Sequence, residues 1–174
     1  MKHNIFVQDN FFEDNFLKKL QAGVMSMEFT SRYNDFSKEL KKDNSLNNIY
    51  QRNFHHVKLS PNIPVVREVV SNIKKYFNHS TKNITSWYFL SFPNTPAVPH
   101  EDGSVFNCLI YLIGDKLVNN GTGFYEKEND DYVLHTHIGF KENRAIFFDS
   151  KKWHSPLQFA GKSTPRYVMA NFMD

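Results

Sequence analysis

The sequence predicts a mostly β fold with flanking α-helices, in which N-terminal helices support a double-stranded β-helix, or jelly roll. Two observations lead to this prediction. From residue 84 onward, short apolar segments follow one another and turn-forming segments such as PNTP, NNG and KEN separate them, which indicates an antiparallel sandwich or barrel. Before residue 84, strand-like segments are mixed with two helical patterns. We therefore expect one domain over residues 1–174, with an N-terminal α/β support region at 1–83 and the jelly-roll core at 84–174.

The N-terminal half is expected to supply the helices that cover one face of a sheet. In order, the predicted elements are a strand at 4–7, a helix at 13–23 capped by Asp9 or Asn10, a strand at 50–59 and a helix at Pro64–Phe77. Pro64 suits the first position of a helix, because its missing N–H would have no intrahelical partner there. Apolar residues recur at helical spacing along this second helix, and we expect that stripe to pack as core.

The C-terminal half predicts six strands, at 84–92, 105–113, 121–128, 131–140, 144–149 and 166–173. Each combines β-branched or aromatic residues with flanking turn residues. No strand is predicted between 149 and 166. Antiparallel strands in this number favour the jelly roll.

Composition excludes several classes of protein. The chain has 174 residues, of which 40% are hydrophobic, enough for one sizeable core. A net charge of +3, spread over scattered lysine pairs, argues against nucleic-acid binding, and no apolar run is long enough to span a membrane. The only cysteine is Cys108, so neither an intramolecular disulfide nor a thiolate zinc site is available. A chain without an intramolecular disulfide fits a cytoplasmic location best. The sequence leaves the oligomeric state open.

Candidate metal ligands follow the first and the fifth strands of the predicted core. His100 and Asp102 stand at spacing i, i+2 just before the second core strand, and His154 comes after the strand at 144–149 and a short loop. A jelly roll can bring these segments together. Two imidazoles and one carboxylate on one face of a metal leave positions open, which suits Fe(II) oxygen chemistry. Zinc normally prefers a closed, four-coordinate shell.

A candidate anion site lies on the last strand. Alternation places Arg166 on the same face as Val168, Ala170 and Phe172, so that an inward-facing Arg166 would be a buried charge. Such a charge is costly unless it meets an anion, and a ligand carboxylate would supply one. Tyr111, on the second core strand, could share that carboxylate.

With these residues in place, the chain from about 84 to 174 resembles the Fe(II)/2-oxoglutarate-dependent dioxygenases, and most closely their prolyl 4-hydroxylase-like branch. The resembling pieces are PHED, CLIYLIGD, GTGFY, RAIFFDSKKWHSP and PRYVMANFMD, in that order. The resemblance implies that His100, Asp102 and His154 bind iron and form the catalytic centre. It further implies that Arg166 and Tyr111 bind the cosubstrate 2-oxoglutarate, and that O2 is the oxidant. A peptide or a small molecule would then be the substrate, with a peptidyl proline as the first candidate.

The resemblance leaves some contacts open. Lys162 is a rival to Arg166, because collagen-type enzymes use lysine for that role. Relatives often place a tyrosine near the cosubstrate on the first core strand, where this chain offers Phe92 or Tyr88.

The sequence leaves two alternative functions open. One is a non-catalytic jelly-roll binding protein, in which the histidines are incidental. The other is a cupin-like metalloprotein that uses His135, His137, Glu142 and His154. Because His135 and His137 lie in the middle of a strand, we expect them to be packed or solvent-facing residues instead.

Overall fold

The computed structural model describes residues 5–31, 54–77, 83–92, 98–117, 119–157 and 164–174. Within these residues the chain forms ten strands and two helices. In chain order they are β1 (Phe6–Gln8), α1 (Asp14–Met25), β2 (Thr30–Ser31), β3 (Phe54–Leu59), α2 (Pro64–Phe77), β4 (Ile84–Ser91), β5 (Phe106–Ile113), β6 (Gly121–Glu128), β7 (Asp131–Gly139), β8 (Arg144–Asp149), β9 (Trp153–Leu157) and β10 (Arg166–Met173). No helix among them is long and apolar enough to cross a membrane.

The strands form two antiparallel sheets. The major sheet has the order β1-β8-β5-β10-β4-β3-β2, and the minor sheet has the order β7-β6-β9. Strands that are adjacent in a sheet are mostly distant in the chain, as a jelly roll requires. The predicted fold class is confirmed.

The larger core lies between the major sheet and the two helices. Leu20 and Val24 of α1 and Val69 and Ile73 of α2 are completely buried, because the apolar stripe of each helix faces the sheet. The sheet residues that meet them are Tyr88, Cys108, Ile110, Leu112, Met169 and Met173. The two helices therefore cover this face of the major sheet.

The second core lies between the two sheets. It contains Tyr111, Phe124, Phe140, Ile146, Phe148 and Val168. Tyr111, Ile146, Phe148 and Val168 lie on the inner face of the major sheet, which looks toward the minor sheet, whereas Phe124 lies on β6 of the minor sheet and Phe140 directly follows β7. Arg166, Val168 and Ala170 share that face on β10, as alternation predicts.

The structure corrects the prediction at several element boundaries. The segment around His154, predicted as a loop, forms β9 and pairs with β6, and its Pro156, which lacks a backbone donor, hides the strand signal. The short strand β2 was also not predicted. In the described residues the strand predicted at 50–59 begins at Phe54.

The first helix differs from its prediction in its cap. It begins after Glu13, which has extended backbone angles and forms no side-chain cap. Asp9 instead accepts hydrogen bonds from Arg144 and Lys141, with Arg144 Nε at 2.6 Å. The segment before α1 is therefore tied to β8 by an ion-pair cluster.

Candidate metal centre

Two histidines that are far apart in the chain are joined by backbone pairing. His100 and His154 form an isolated antiparallel bridge, in which each backbone N–H donates to the carbonyl of the other at 3.0 Å. Their imidazole centroids lie 4.6 Å apart. The pairing of the segment before β5 with β9 thus sets the two rings side by side.

Each ring is held in one tautomer by its own backbone. His100 Nδ1 lies 3.0 Å from the carbonyl of Val98, and His154 Nδ1 lies 2.8 Å from the carbonyl of Lys152. A carbonyl oxygen only accepts, so each Nδ1 must carry the proton and donate it. This leaves the lone pair of each Nε2 available to a metal, and such hydrogen bonds are the usual support of metal-binding histidines.

Both Nε2 atoms are directed at the carboxylate of Asp102. His154 Nε2 lies 3.2 Å from Asp102 Oδ2, and His100 Nε2 lies 3.9 Å from Oδ1. The potential ligand atoms of the three residues all lie within 4.8 Å of one another. The structure therefore brings together the three metal ligands that the sequence motif predicts.

A buried polar network holds Asp102. Its backbone N–H donates to Ser150, and Asn107 Nδ2 donates to its Oδ2 at 2.5 Å. Asn107 Oδ1 accepts in turn from Ser104 Oγ at 2.7 Å and Ser150 Oγ at 3.1 Å. Sequence reasoning missed this network, although a polar Asn107 among the apolar residues of β5 was a usable signal.

The electrostatics favour an ionised Asp102. Burial alone would raise the pKa of this carboxyl group. When the two imidazoles are protonated on both nitrogens, as they can be without a metal, the hydrogen bond and charge of His154, the charge of His100 and the hydrogen bond from Asn107 outweigh burial and hold the pKa of Asp102 below its usual range. The group is thus available as an anionic ligand.

These residues fit a divalent metal in an open site. Ligands at about 2.1 Å from an octahedral ion, at right angles to one another, lie about 3 Å apart, close to the shorter of the two distances above. Two imidazole nitrogens and one carboxylate on one side leave the opposite positions open. His154 is buried whereas the His100 side chain is 46% exposed, so the site has a closed side and an open one.

Arg166 is a buried charge with no acidic partner among the described residues. It is 6% exposed, and its Nη1 donates to the carbonyls of Gly121 and Leu157 and to Asn120 Oδ1, whereas its Nε has no partner. Desolvation lowers the pKa of Arg166, with the neighbouring Tyr111 opposing that shift. Since Leu157 follows His154 by three residues on β9, Arg166 lies about 10 Å along the strand from the metal ligands.

Tyr111 lies on the same inner face as Arg166 and makes hydrogen bonds to the minor sheet. Its hydroxyl lies 2.7 Å from Thr122 Oγ1 on the minor sheet and donates to the carbonyl of Ile138 at 3.3 Å. Burial raises the pKa of Tyr111 to about 12, with the Arg166 charge acting in the opposite direction. Tyr111 thus joins the two sheets beside Arg166.

The other candidates lie elsewhere or outside the described residues. Tyr88 is buried in the core beneath the helices and not on the inner face, and Phe92 packs edge-on against His55 at 5.5 Å. Lys162 falls outside the described residues. The cupin-like set is not assembled, because His154 groups with His100 and Asp102 and not with His135, His137 or Glu142. His135 instead lies 3.8 Å from Glu126 on an exposed surface.

Solved structures share this architecture. A prolyl hydroxylase from Trichoplax adhaerens, in complex with a hypoxia inducible factor oxygen degradation domain peptide fragment, matches with a TM-score of 0.65 and 14% identity, over 99% of this chain and 84% of that one. HygX from Streptomyces hygroscopicus, with nickel, 2-oxoglutarate and hygromycin B bound, matches with a TM-score of 0.63 and 7% identity, over 98% and 83%. The chain has the fold of the prolyl hydroxylase-like dioxygenases.

A bacterial prolyl hydroxylase has the same fold. A Pseudomonas putida prolyl-4-hydroxylase matches with a TM-score of 0.58 and 10% identity, over 99% of this chain and 93% of that one. No family model matches the sequence, and no curated protein does. At these identities the likeness shows the fold and not the function.

Proposed function

We propose that this protein is an Fe(II)- and 2-oxoglutarate-dependent dioxygenase that hydroxylates its substrate. The observation that carries the proposal is the combination of an open His100, Asp102 and His154 ligand set with a buried Arg166 guanidinium that lacks an acidic partner. The first part suits a catalytic metal. The second suits a dicarboxylate, because a buried guanidinium without a counterion is expensive in the absence of a ligand.

The metal would be held by His100, Asp102 and His154. The backbone acceptors of the two Nδ1 atoms and the hydrogen bond from Asn107 to Asp102 hold these ligands in place before the metal arrives, so that few rearrangements are needed. The ring of Phe148, whose centroid is 4.8 Å from that of His154, shields the buried side from water.

The cosubstrate would lie between the metal and Arg166. A free edge of the guanidinium, including the unpartnered Nε, can donate to the distal carboxylate of 2-oxoglutarate. Asn120 and Gly121 hold the other edge, which fixes the orientation of the fork. Tyr111 would assist Arg166 from the same inner face, where its hydroxyl also meets Thr122 and keeps the two sheets together.

When bound, iron and 2-oxoglutarate supply the oxidising chemistry: O2 is consumed, 2-oxoglutarate is converted to succinate and CO2, and a substrate C–H bond becomes C–OH. The protein binds, orients and excludes water. None of its side chains needs to act as a nucleophile.

We propose a peptidyl proline as the first substrate to test. Support comes from two of the proteins that share the fold, which are described as prolyl hydroxylases, one of them in complex with a peptide. The readout would be succinate formation together with a mass gain of one oxygen atom in a proline-containing peptide.

The deciding experiment is an anaerobic titration with Fe(II) and 2-oxoglutarate, followed by the weak visible charge-transfer band of the chelate. We expect a band in the wild type, none in His100→Ala, and an unchanged band in His135→Ala, since His135 is an exposed histidine outside the ligand set. A folded wild type without a band would contradict the proposal and favour a non-catalytic binding protein. A band that survives both His100→Ala and Asp102→Ala would assign the metal to other ligands.

A further inference from the structure

The orientation of Arg166 depends mainly on two consecutive residues of the minor sheet and the turn before it. Arg166 Nη1 donates to the carbonyl of Gly121, to Asn120 Oδ1 at 3.3 Å and to the carbonyl of Leu157 at 3.4 Å. Asn120 and Gly121 thus supply two of these three acceptors. Because a guanidinium is a rigid planar fork, a shift of Asn120 and Gly121 would turn its free edge, which includes the unpartnered Nε. The contacts that hold these two residues therefore also set the direction of Arg166.

His137 reaches the same two residues from the other face of the minor sheet. Its neighbour Ile138 packs against the core between the sheets, so alternation along β7 places His137 on the outer face. From there His137 Nε2 lies against the α-carbon of Gly121, because a Cβ added to Gly121 would be only 2.8 Å from that nitrogen. His137 and Arg166 therefore contact this backbone from opposite faces of the sheet.

The ring of His137 also forms a hydrogen bond with the backbone of Asn120. Burial lowers the pKa of His137, and this hydrogen bond opposes the shift. Since the bond favours the protonated ring, its backbone partner is an acceptor, the carbonyl of Asn120. The same carbonyl accepts from the backbone N–H of Phe140 at 2.6 Å. His137 thus helps to hold the residue whose side chain accepts from Arg166.

A histidine is a costly residue for this position. His137 Nε2 is buried and has no hydrogen-bond partner. A buried polar atom without a partner lowers stability, and an apolar side chain of similar size would avoid that cost. Gly121 in turn has a φ of +153° and lacks the Cβ that would displace the ring. Packing alone therefore does not account for the histidine.

We infer that His137 is a positioning residue for the cosubstrate: it holds the backbone of Asn120 and Gly121 from the outer face of the minor sheet, and thereby directs the free edge of Arg166 toward a carboxylate. The inference rests on the proposed function, in which that carboxylate belongs to 2-oxoglutarate. His137 acts through Arg166 and not on the ligand. The two histidines of β7 then differ in role, because His135 is exposed and lies 3.8 Å from Glu126.

NMR of the arginine side chains tests the positioning without metal or cosubstrate. The chain has five arginines, and the Nε–H signal of Arg166 is identified in the isotope-labelled full chain by its loss in Arg166→Gln. Because this Nε is buried, its hydrogen should exchange slowly with water. His137→Leu keeps an apolar side chain of similar size and removes the polar contact. We expect it to shift the Arg166 signal and to accelerate the exchange by roughly threefold or more.

An anaerobic titration with 2-oxoglutarate in saturating Fe(II) tests the consequence for the cosubstrate. In His137→Leu we expect 2-oxoglutarate affinity to fall about 3- to 10-fold, as for the loss of one neutral hydrogen bond, with Fe(II) affinity unchanged in chelator competition. His137→Gln keeps an N–H donor and should retain more of the affinity. The matched control is His135→Leu, which changes an exposed histidine of the same strand and should alter neither the affinity nor the Arg166 signal.

Four results would overturn the inference: an unchanged Arg166 signal in His137→Leu, an equal change in His135→Leu, an equal loss of Fe(II) and 2-oxoglutarate affinity, or no difference between His137→Gln and His137→Leu. The last two would assign the effect to packing. Failure of the proposed function is distinguishable, because the wild type then gives no charge-transfer band while the Arg166 signal still reports on His137. A normal band together with an unchanged Arg166 signal refutes the role of His137 alone.

Discussion

Replacing Arg166 with glutamine separates the binding of the cosubstrate from the binding of the metal. Glutamine keeps a neutral amide donor on the inner face, but it is shorter than arginine, and the charge and the fork of donors are lost. A hydrogen bond to a charged group contributes about 1.5–3 kcal/mol. Losing one such bond to the distal carboxylate should therefore weaken 2-oxoglutarate binding by about 10- to 150-fold.

The assay is an anaerobic 2-oxoglutarate titration of protein saturated with Fe(II), with Fe(II) affinity measured separately by chelator competition. Iron affinity should change little, because Arg166 contacts β9 at Leu157 and not at His154. Arg144→Gln is the matched control: it removes a guanidinium that lies opposite Tyr111 but is already paired with Asp9. Unchanged 2-oxoglutarate affinity in Arg166→Gln, or an equal loss in Arg144→Gln, would refute the assignment of Arg166.

Three further predictions concern the support of the site and of the fold. Asn107→Ala should lower metal affinity about 10- to 100-fold in a chelator competition, because Asp102 loses its orienting donor. Asn171→Ala removes another buried asparagine of this sheet and should lower stability without lowering metal affinity. The pKa of Asp9 is lowered to about 2, so its ion pairs stabilise the fold above pH 4 and lose that effect as the pH falls from 4 to 2. After allowance for solvent screening, Asp9→Asn should lower the free energy of unfolding in urea by about 1 kcal/mol at pH 7 and by almost nothing at pH 2. Gly121→Ala should lower the free energy of unfolding by about 1–3 kcal/mol, because φ is +153° and a Cβ there would collide with the carbonyl of Ile138. Gly139→Ala should leave thermal stability nearly unchanged, because a Cβ at that position has no atom within 4 Å.

The sequence was most informative where a short-range pattern decides the structure. Period-two alternation placed Arg166 and Tyr111 on the inner face correctly, and Pro64 marked the start of α2. Alternation could not reveal that the Tyr111 hydroxyl meets Thr122, because that residue lies on the other sheet. A contact of this kind depends on how two sheets pack, which no local pattern encodes.

The predicted metal ligands also depend on contacts that no local sequence pattern reveals. The motif suggested His100, Asp102 and His154, but it could not show what orients them. The carbonyls of Val98 and Lys152 fix the tautomers, and each lies two residues before its histidine, so that a segment taken for a loop turns out to carry the supporting contact. Backbone acceptors of this kind are available to any residue type and leave no trace in the sequence.

The backbone bridge between His100 and His154 would link binding of the proposed metal to the closure of the barrel. His154 pairs with Phe124 of β6 on one side and with His100 on the other, so the segment before β5 extends the minor sheet by a single residue. The ligand set exists only where this bridge and the hydrogen bond from Asp102 to Ser150 are both formed. Since the unfolded chain has no such site, part of the free energy of binding a metal there would appear as folding free energy of the jelly roll. The open side of the three-residue ligand set and the Arg166 fork are then both fixed by the same event, because both depend on strands that the closed barrel holds in register.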